Sequence, residues 1–577
     1  MRPPKRSAKR SAPKSKPKGR PGGTGTPGGS GPPGHPGPKP STRPGYKPRD
    51  LGAIRAPRPA PERRAGRPDR DEIRTPVGPE AQAARAVSHV VPLDKLAGSA
   101  VDVALAVERA VLGEGRRADR SISWELRLRR DLSAPDHRFI SQAVFALFRW
   151  KGWIDTLHLD SIEARLLLAW MLDSPRFHPA CRIWAKAIGR DAERMVPVGE
   201  APNWTARGDG WKRLNEDRTV SADPWRLFPD WVREHLPLPP GGGSVKTKYL
   251  ELLQSLQARP SLWVRAQALD EKRVWAELNE LGLKPWVHRR VGRAGKLGPE
   301  VDTYHLEAFK RGDLEIQDLA SQAVAIACDP DPGERWWDVC AGAGGKALHL
   351  AALMGGKGVV VATDIHEKRL REAARRARKS PYRNLTTKVW DGKHVVGKSA
   401  KYDGVLVDAP CSAIGTWRRN PDARWILRAD AVPRLAEVQG QVLRSGAAGV
   451  KPGGTLVYSV CTLTVAETTG VLRSFLADHP EFQLDPFPHP LTGEPTDGTL
   501  QIWPQDADTD AMFIARMIRA QSPSKPPTPK SRPKAVIQVE GDQAAEPTLP
   551  TEPTAKVINE SVAAEAVLDV PKPGETP

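Results

Sequence analysis

Apolar residues recur with helical spacing in the first part of this chain and with strand spacing further on. Between about 95 and 175 the helical spacing is carried by three segments, LAGSAVDVALAVERAVLG, HRFISQAVFALFRWKGWIDTLHLD and IEARLLLAWMLD. Asp136, just before HRFI, is the predicted cap of the second segment. This stretch predicts a small helical bundle. From about 176 to 240 tryptophans stand among polar residues, and we expect short helices and loops there, with a helix at FPDWVREHL.

The pattern becomes mixed after GGGS at 241–244, which is typical of a linker. KYLELLQSLQ and DEKRVWAELNELG have helical spacing, and SLWVRAQ between them is strand-like. EIQDLASQAVAIACDPDPGE predicts a helix that ends before the prolines. Residues 246–330 are therefore predicted to form a small α+β connecting domain that positions substrate.

From 335 to about 520 strands and helices alternate. The predicted strands are RWWDVCAG, KGVVVATD, LTTKVWD, YDGVLVDAP and GGTLVYSVC, with two late strands in LQIWPQ and DAMFIARMI. The predicted helices are KALHLAALM, EKRLREAARRAR, AVPRLAEVQGQVLRSGAAGV and VAETTGVLRSFLADH. Such alternation indicates βαβ units and a parallel sheet with helices on both faces, which is a Rossmann-like α/β domain over 331–520.

Charge is concentrated at the amino-terminal end. The first fifty residues hold 13 Lys and Arg against one acid, and the whole chain has a formal net charge of +20. Residues 1–90 are rich in Pro and Gly, and residues 521–577 in Pro, Thr and Glu, so both tails are predicted to be disordered. A flexible cationic tail fits RNA, although it is also compatible with a solubilising role alone.

Composition also indicates the cellular compartment in which the protein is expected. No apolar run of about 18 residues is present, so no membrane span is expected. The basic start is not followed by the apolar stretch of a targeting peptide. The five cysteines are odd in number and form no CxxC pair, which argues against a disulfide framework and a zinc site and favours the reducing cytoplasm.

The first turn of the Rossmann-like domain predicts a nucleotide-type pocket. Gly342, Gly344 and Gly345 permit a sharp turn and close approach of a ligand to the start of a helix. Asp364 ends the second strand, about 20 residues on, where an acid binds ribose hydroxyls. Asp391, at the end of the third strand, is placed to hold the adenine side. The loop is one residue short of a dinucleotide fingerprint, so S-adenosylmethionine fits better than a pyrophosphate ligand.

Two cysteines stand where strands of this sheet should end. Cys411 follows VLVDAP and Cys461 follows GGTLVYSV, with Asp408 beside the first. Ligands of open parallel sheets bind at the carboxyl ends of the strands. Two thiols and a carboxylate at that edge indicate covalent chemistry on an electron-poor ring. Position alone does not decide which cysteine attacks.

Over about 245–520 the chain resembles RNA (cytosine-5)-methyltransferases of the RsmB type. The motifs EIQDLASQ, DVCAGAGGK, ATDIHEKRL, DAPCSAIGTWRRNP, YSVCTLTVAE and DAMFIARM occur in that family's order. The region with RFISQAVFALFRWKGWID, within 91–240, looks like the NusB-like RNA-binding domain of bacterial 16S rRNA members. The chain departs from the usual pattern at Ala413, Ala343 and Ala347, and in DAMF.

The resemblance implies an S-adenosylmethionine-dependent enzyme that methylates carbon 5 of a cytosine in 16S rRNA. It implies Cys461 as the nucleophile, Cys411 as the residue that helps release the product, and Asp408 as the partner of the ring near nitrogen 3. We expect Lys346 to contact the base or a phosphate, and Arg418 and Arg419 to meet RNA phosphate. The implied cofactor-binding residues are Cys340, Ala341, Gly342, Ala343, Gly344, Gly345, Lys346, Asp364, Asp391 and Asp408.

Two other functions stay open at this stage: methylation of tRNA, and a non-catalytic role in RNA binding or assembly. A DNA methyltransferase is disfavoured, because in that family the nucleophile lies in the earlier motif. No metal ligand set is expected, and His349, His366 and His394 are interpreted as surface or packing residues. Cys181 and Cys328 are interpreted as core residues. Thr464 and Glu467 have the spacing of a capping box, which predicts a helix start.

Overall fold

The computed structural model describes residues 91–298, 301–397 and 401–521. The predicted tail over 1–90, and the predicted tail over 521–577 apart from its first residue, lie outside these ranges. None of the helices in the described ranges has the length and apolar character needed to cross a bilayer.

The amino-terminal part of the described chain is all-helical. Its helices are α1 (Leu93–Glu108), α2 (Ala118–Leu128), α3 (Ala134–Ile154), α4 (Ile162–Asp173), α5 (Cys181–Ala187), α6 (Trp204–Asn215) and α7 (Val232–His235). A π-turn, Arg109–Gly113, extends α1, and 3-10 turns occupy Asp155–Leu157, Ala192–Arg194 and Pro224–Leu227. The three predicted helical segments are confirmed.

The start of α3 differs in detail from the prediction. Ser133, not Asp136, is the N-cap, and its hydroxyl accepts the Asp136 amide at 3.3 Å. The Asp136 carboxylate in turn accepts the Ser133 amide at 2.8 Å, which completes a capping box. Asp136 is therefore the third residue of the helix, and the predicted cap was three residues too late because the prediction overlooked the Ser133 hydroxyl.

Two of the five tryptophans of the 176–240 region lie in the core of this helical part, and the other three pack against it. Trp184 and Trp211 are fully buried, as is Trp153 on α3. Their ring nitrogens are satisfied by backbone carbonyls: Trp184 donates to Ala97 and Trp211 to Ser221, each at 3.2 Å. The unusual tryptophan content thus supplies apolar volume, and the ring nitrogens of the buried tryptophans have partners.

A small antiparallel sheet follows. It is formed by β1 (Leu262–Ala266), β2 (Trp286–Val287), β3 (Ala294–Leu297) and β4 (Leu314–Ile316), in the order β2-β3-β1-β4. The helices here are α8 (Val245–Gln257), α9 (Glu271–Glu280), α10 (Glu307–Arg311) and α11 (Leu319–Cys328), with a 3-10 turn at Thr303–His305. The prediction that EIQDLASQ begins a helix was wrong at its start. Leu314–Ile316 pairs with β1, and α11 begins only after its cap, Asp318.

The carboxyl-terminal part is an eight-stranded sheet in the order β10-β12-β9-β8-β5-β6-β7, with β11 paired to β12. Its strands are β5 (Arg335–Asp338), β6 (Val359–Asp364), β7 (Leu385–Val389), β8 (Tyr402–Asp408), β9 (Val450–Val460), β10 (Phe482–Leu484), β11 (Thr499–Ile502) and β12 (Met512–Arg519). Its helices are α12 (Gly345–Leu353), α13 (Glu367–Lys379), α14 (Ala423–Ile426), α15 (Ala431–Ala447), α16 (Val471–Asp478) and α17 (Pro504–Ala507). A 3-10 turn lies at Ile414–Thr416 and a π-turn at Ala466–Gly470.

Five neighbouring strands of this sheet, β9-β8-β5-β6-β7, are parallel, which confirms the Rossmann-like prediction for them. The remaining strands are antiparallel: β12 pairs with β9, and β10 and β11 pair with β12. The expectation of a parallel sheet therefore holds for five strands and was wrong at this edge. The predicted strand LQIWPQ also ends at Ile502, since Pro504 begins α17.

A loop of the sheet joins the two larger parts of the structure. We call residues 413–427, which follow β8, the docking loop. Its Trp417 is fully buried in the same apolar cluster as the helical part. Arg424 is also fully buried and donates to the Leu227 carbonyl at 2.9 Å and to Gln257 Oε1 at 2.8 Å.

Arg418 of the docking loop is buried, so the prediction that it meets RNA phosphate was wrong. Its side chain is buried and donates to the Thr509 carbonyl at 3.1 Å and to Asp508 Oδ1 at 2.6 Å. Its backbone carbonyl accepts a hydrogen bond at 2.8 Å from Arg149 on α3. Motif arginines of this kind satisfy buried backbone carbonyls, which would otherwise lose their hydrogen bonds to water.

Candidate active site

The carboxyl ends of β5, β8 and β9 lie side by side, because these strands are neighbours in the sheet. Asp408, the last residue of β8, is opposite Ser459 of β9, so the loops that carry Cys411 and Cys461 leave the sheet next to each other. The turn after β5 opens at the same edge. This is the edge at which α/β sheets bind ligands.

The two cysteines predicted to act together are in contact. Cys411 Sγ and Cys461 Sγ are 3.4 Å apart, and both residues are half-buried. The distance is longer than a disulfide bond, and both cysteines are free thiols. The structure therefore brings the fifty-residue-separated pair to one point at the sheet edge.

Asp408 is held between two donors beside this pair. Its Oδ1 accepts the Ser459 hydroxyl and its Oδ2 accepts Lys346 Nζ, each at 2.8 Å. Burial opposes the positive charge of Lys346, but the Asp408 carboxylate outweighs that effect and raises the pKa of the lysine. Lys346 is thus a fixed cation, and the Cys461 sulfur is among the groups that raise its pKa further.

The two sulfurs differ in their electrostatic surroundings. Besides Lys346, Arg419 acts on Cys461. Burial opposes the charge of Arg419, but Asp510 and Asp318 outweigh that effect and raise the pKa of the arginine. At Cys411 burial and negative charge dominate instead. The hydrogen bond with Cys461, burial and the charge of Glu467 raise the pKa of Cys411 well above its ordinary value. The site therefore favours a thiol at Cys411 and places cations at Cys461.

The turn between β5 and α12 contains the predicted glycines in left-handed conformations. Gly342 has φ +55° and donates its amide to Asp364 Oδ2 at 3.0 Å. Gly344 has φ +84°, and a Cβ there would lie 2.9 Å from the Cβ of Ala373 on α13. Only glycine satisfies both conditions at Gly344, so the turn stays close to α13 and leads directly into the amino-terminal end of α12.

Most of the predicted cofactor residues form this turn, and Asp364 contacts it. Cys340, Ala341, Gly342, Ala343, Gly345 and Lys346 are half-buried, and Gly344 is buried. Asp364 is buried at the end of β6 and also accepts the His366 amide at 2.7 Å. Asp391 is exposed, two residues after β7, and its carboxylate accepts the amides of Lys393 and His394, each at 2.9 Å.

These residues fit S-adenosylmethionine. The helix start offers backbone amides and a positive dipole end to the carboxylate of the ligand. Asp364, at the end of the second strand of the parallel sheet, is an acceptor for ribose hydroxyls. Because the glycines have no side chains, the ligand can approach the backbone of the turn closely.

Comparison with known proteins agrees with this geometry. A profile of the family described as 16S rRNA methyltransferase RsmB/F matches residues 325–518. A Synechocystis protein named "Probable ribosomal RNA small subunit methyltransferase B" is 30% identical over 428 residues, which are 67% of this chain and 92% of that protein. Ribosomal RNA small subunit methyltransferase B of Salmonella paratyphi B is 30% identical over 310 residues, 53% of this chain and 69% of that protein.

The chain belongs to the RsmB/F methyltransferase family. The crystal structure of PH0851 has the same fold: it is 25% identical, covers 74% of this chain and 99% of its own, and gives a TM-score of 0.57. The predicted family, enzyme class, methyl donor and function as a ribosomal RNA methyltransferase are thereby confirmed.

Sequence reasoning missed the residues that hold the cofactor turn of this RsmB/F member from outside. Arg376 on α13 donates to the Ala343 carbonyl at 2.7 Å and pairs with Glu315 of β4 at 2.5 Å. Gln267, just after β1, donates to the Leu348 carbonyl at 2.9 Å. The small antiparallel sheet thus supports the cofactor turn. Arg376 was hidden in a helix with many exposed arginines, and no spacing distinguished it.

Asp338, the last residue of β5, was also missed. It is fully buried beneath the cofactor turn, and burial, aided by the negative charge of Asp408, raises its pKa to about 8. An aspartate at the end of a buried strand with a strongly raised pKa is typical of a functional site. Its position at the end of the strand before the glycines was the signal that could have found it.

The remaining predictions have mixed outcomes. Glu467 donates its amide to Thr464 Oγ1 at 3.3 Å, which confirms the capping contact, but the first turn is a π-turn and the Glu467 side chain is fully buried. His349 is buried, as expected of a packing residue, and so are Cys181 and Cys328. His394 contacts Asp391 through Nδ1 at 2.6 Å.

A groove of about 600 Å³ runs between α3 and the small sheet and reaches Arg419. Two aromatic side chains line this groove: Trp263, which is buried, and Tyr304, which is 69% exposed. Asp318 lies at the inner end, next to Arg419. The groove therefore leads from the surface to Arg419, one of the two cations that act on Cys461.

Proposed function

We propose that this enzyme methylates carbon 5 of a cytosine in 16S rRNA, with a transient bond between Cys461 Sγ and carbon 6 of the ring. Cys411 assists release of the product. The observation that carries the proposal is the 3.4 Å contact of the two sulfurs beside the Lys346–Asp408 ion pair. The family description, 16S rRNA methyltransferase RsmB/F, supports the substrate class.

The chemistry requires a thiolate. Carbon 5 of cytosine is a poor nucleophile, and addition of sulfur to carbon 6 converts the ring into an enamine that attacks through carbon 5. S-adenosylmethionine, when bound, supplies the electrophilic methyl group. Afterwards the proton on carbon 5 leaves to a base, the bond between carbon 6 and sulfur breaks, and the sulfur departs as thiolate.

The surroundings of the sulfurs support Cys461 in the attacking role. A thiolate is the reactive form of cysteine, and neighbouring cations favour it. Lys346 and Arg419 supply positive charge at Cys461. Cys411, whose pKa is well above the ordinary value, keeps its proton and can pass it to the departing Cys461 sulfur when the adduct breaks down.

Asp408 has the surroundings needed to stabilise the adduct. When the thiolate adds to carbon 6, nitrogen 3 of the ring takes up a proton from solvent, and the resulting N–H donates a hydrogen bond to the Asp408 carboxylate. The Ser459 and Lys346 contacts fix that carboxylate in advance, so it needs little reorganisation when charge develops in the ring. A cytosine within a duplex must be extruded from the stack to reach this edge.

We further propose the roles of the cofactor residues. The turn from Cys340 to Lys346 holds the amino-acid end of S-adenosylmethionine, Asp364 binds the ribose hydroxyls, and Asp391 lies on the adenine side. Asp408 lines the same pocket. The open glycines and the buried carboxylate of Asp364 at the strand end support this assignment.

RNA binding is proposed for the helical part. In this proposal residues 91–240 form a NusB-like RNA-binding domain, 246–330 a connecting domain and 331–520 the methyltransferase domain. The basic tail over 1–90 adds electrostatic attraction to phosphate. The groove that ends at Arg419, with its aromatic surface, supports passage of a single strand toward Cys461. The cytoplasm as compartment stays a prediction.

Two variants test the roles of the cysteines. We expect Cys461→Ala to abolish methylation, and Cys411→Ala to accumulate a covalent RNA–enzyme species on a denaturing gel when methyl donor and RNA are supplied. Cys181→Ala is the matched control, because that cysteine is buried in the helical part. If Cys461→Ala trapped RNA while Cys411→Ala turned over normally, the roles would be reversed.

Bisulfite sequencing identifies the substrate. RNA from a strain that lacks the enzyme is compared with RNA from the same strain carrying the wild-type chain or Cys461→Ala. We expect one cytosine of 16S rRNA to lose its protection in the deletion and in the Cys461→Ala strain. Loss of protection in a tRNA, with 16S rRNA unchanged, would contradict the proposed substrate.

A further inference from the structure

Glu467 is a fully buried carboxylate behind the two cysteines, in the first turn after β9. Within the described residues it forms no ion pair with Lys, Arg or His. It accepts four hydrogen bonds instead. A buried carboxylate without a cation is costly unless its oxygens are satisfied by several donors. Such an arrangement calls for an explanation beyond the start of a helix.

Two of the four donors belong to the residues that directly follow the cysteines. The backbone amide of Ser412 donates to Glu467 Oε1 at 2.7 Å, and the hydroxyl of Thr462 donates to Oε2 at 3.2 Å. The Ser412 and Thr462 hydroxyls are themselves 2.6 Å apart. One carboxylate therefore links the loop after β8 to the loop after β9, one residue beyond each sulfur.

Gln439 on α15 completes the arrangement from the other side. Its Nε2 donates to Glu467 Oε1 at 3.0 Å and to the Pro410 carbonyl at 2.9 Å. The residues before and after Cys411 are thus both held by the Glu467–Gln439 pair. The Tyr458 hydroxyl also donates to the Glu467 carbonyl, at 2.6 Å, which fixes the turn that carries the carboxylate.

We infer that Glu467 is a positioning residue that fixes Cys411 and Cys461 in the relative geometry needed for attack and release. This inference rests on the proposed function of the two cysteines. Glu467 does not touch the reacting atoms. It acts through the backbone of Ser412 and the side chain of Thr462. Its charge also helps to keep Cys411 protonated, in line with the raised pKa of that thiol.

The size of the expected effect follows from the geometry. Displacement of a reacting group by about 1 Å can lower a rate about a hundredfold. Glu467→Ala removes all four acceptor contacts, so both loops lose their common restraint. Glu467→Gln keeps the size and one carbonyl acceptor for the Ser412 amide, while its NH₂ group can donate to the threonine hydroxyls. We therefore expect the glutamine variant to restore the geometry and the alanine variant to lose it.

The kinetic test compares these variants on methylation of RNA. Glu467→Ala should lower kcat about a hundredfold, with the KM values for methyl donor and RNA changed by no more than about threefold. Glu467→Gln should recover most of kcat. Thr462→Val should lower kcat, whereas Thr468→Val, a buried threonine of the same segment that donates only to the Thr464 carbonyl, should not.

A second readout measures the sulfur contact without RNA. Diamide oxidises two neighbouring thiols to a disulfide, taking up their two electrons and two protons, and mass spectrometry detects the loss of two hydrogens. We expect formation of the Cys411–Cys461 disulfide to slow about tenfold or more in Glu467→Ala, and to proceed at least as fast as wild type in Glu467→Gln. The Gln variant controls for the removal of charge, and Cys411→Ala is the blank.

The two readouts separate failure of this inference from failure of the proposed function. If Glu467→Ala oxidises and methylates at wild-type rates, Glu467 has no positioning role. If disulfide formation slows but adduct and methylation results contradict the proposed cysteine roles, the positioning stands and the mechanism does not. Should Glu467→Ala fail to fold, Thr462→Val against Thr468→Val decides by the same criteria, and equal rates in that pair would overturn the inference.

Discussion

Gly344 offers a quantitative test of the cofactor turn. It has φ +84°, and a Cβ would lie 2.9 Å from the Cβ and 3.3 Å from the Cα of Ala373 on α13. Gly355, at the other end of α12, is the matched control: its φ is +61°, but a Cβ there would meet nothing within 4 Å. Alanine at either position incurs the cost of a left-handed conformation. Only alanine at Gly344 also collides with a neighbouring helix.

The magnitudes follow from these contacts. A left-handed conformation costs a non-glycine residue roughly 1–2 kcal/mol. Overpacking by one methyl group adds about 1–3 kcal/mol. We therefore expect Gly355→Ala to lose roughly 1–2 kcal/mol of stability and Gly344→Ala about 2–5 kcal/mol. If the free turn shifts to relieve the collision, binding must restore it, and the dissociation constant for S-adenosylmethionine rises about 5- to 150-fold.

Two measurements on each variant check the argument. Denaturant unfolding gives the loss of stability, and isothermal titration calorimetry gives the dissociation constant for S-adenosylmethionine. The expected result is weaker binding for Gly344→Ala and wild-type affinity for Gly355→Ala. Wild-type affinity in Gly344→Ala would show that the turn tolerates a side chain and that its contact with α13 does not control the cofactor pocket.

Three further predictions concern stability and binding. Burial raises the folded-state pKa of Asp338 to about 8, against an ordinary value of 3.8, so its proton stabilises the folded state at low pH and this contribution is lost as pH rises from about 4 to 8. Asp338→Asn should therefore flatten the pH dependence of the unfolding free energy over that range. An unchanged slope would contradict this prediction. Arg424→Met should lower the free energy of unfolding by about 3 kcal/mol in denaturant titration, because buried carbonyls lose their donor. Arg428→Met, at an exposed arginine, should lower it by less than about 0.5 kcal/mol. Equal losses in the two variants would argue against the buried hydrogen-bond network. Asp364→Ala should weaken S-adenosylmethionine binding in calorimetry about tenfold or more through loss of the ribose contact and of the Gly342 amide partner, and unchanged affinity would remove Asp364 from the pocket.

Local patterns predicted the parallel part of the sheet well. Strands such as VVVATD and helices such as EKRLREAARRAR have clear periodicity, and their ends agree with β6 and α13 to within a few residues. The short strands β2, β4 and β10 escaped detection. They have two or three residues each and are stabilised by pairing with partners distant in sequence, which no local window contains.

The residues of the candidate site also divide into those that the sequence predicted and those that it did not. Cys411, Cys461, Asp408 and the glycines of the turn are fixed by their places at strand ends, so topology alone brings them together. The buried supporting residues were not accessible to that reasoning. Arg418 was assigned to RNA together with the family resemblance, yet the carbonyls of Thr509 and Arg259 needed a donor.

The docking loop has a consequence for how this enzyme can be divided. Trp417 and Arg424 belong by sequence to the methyltransferase part, but they complete the apolar core and hydrogen bonds of the helical part. Removal of the amino-terminal helices would expose the Trp417 indole ring and leave Arg424 without its partner, the Leu227 carbonyl. Chimeras that exchange the amino-terminal helices between relatives should therefore stay folded and monodisperse only when the 413–427 segment is exchanged with them.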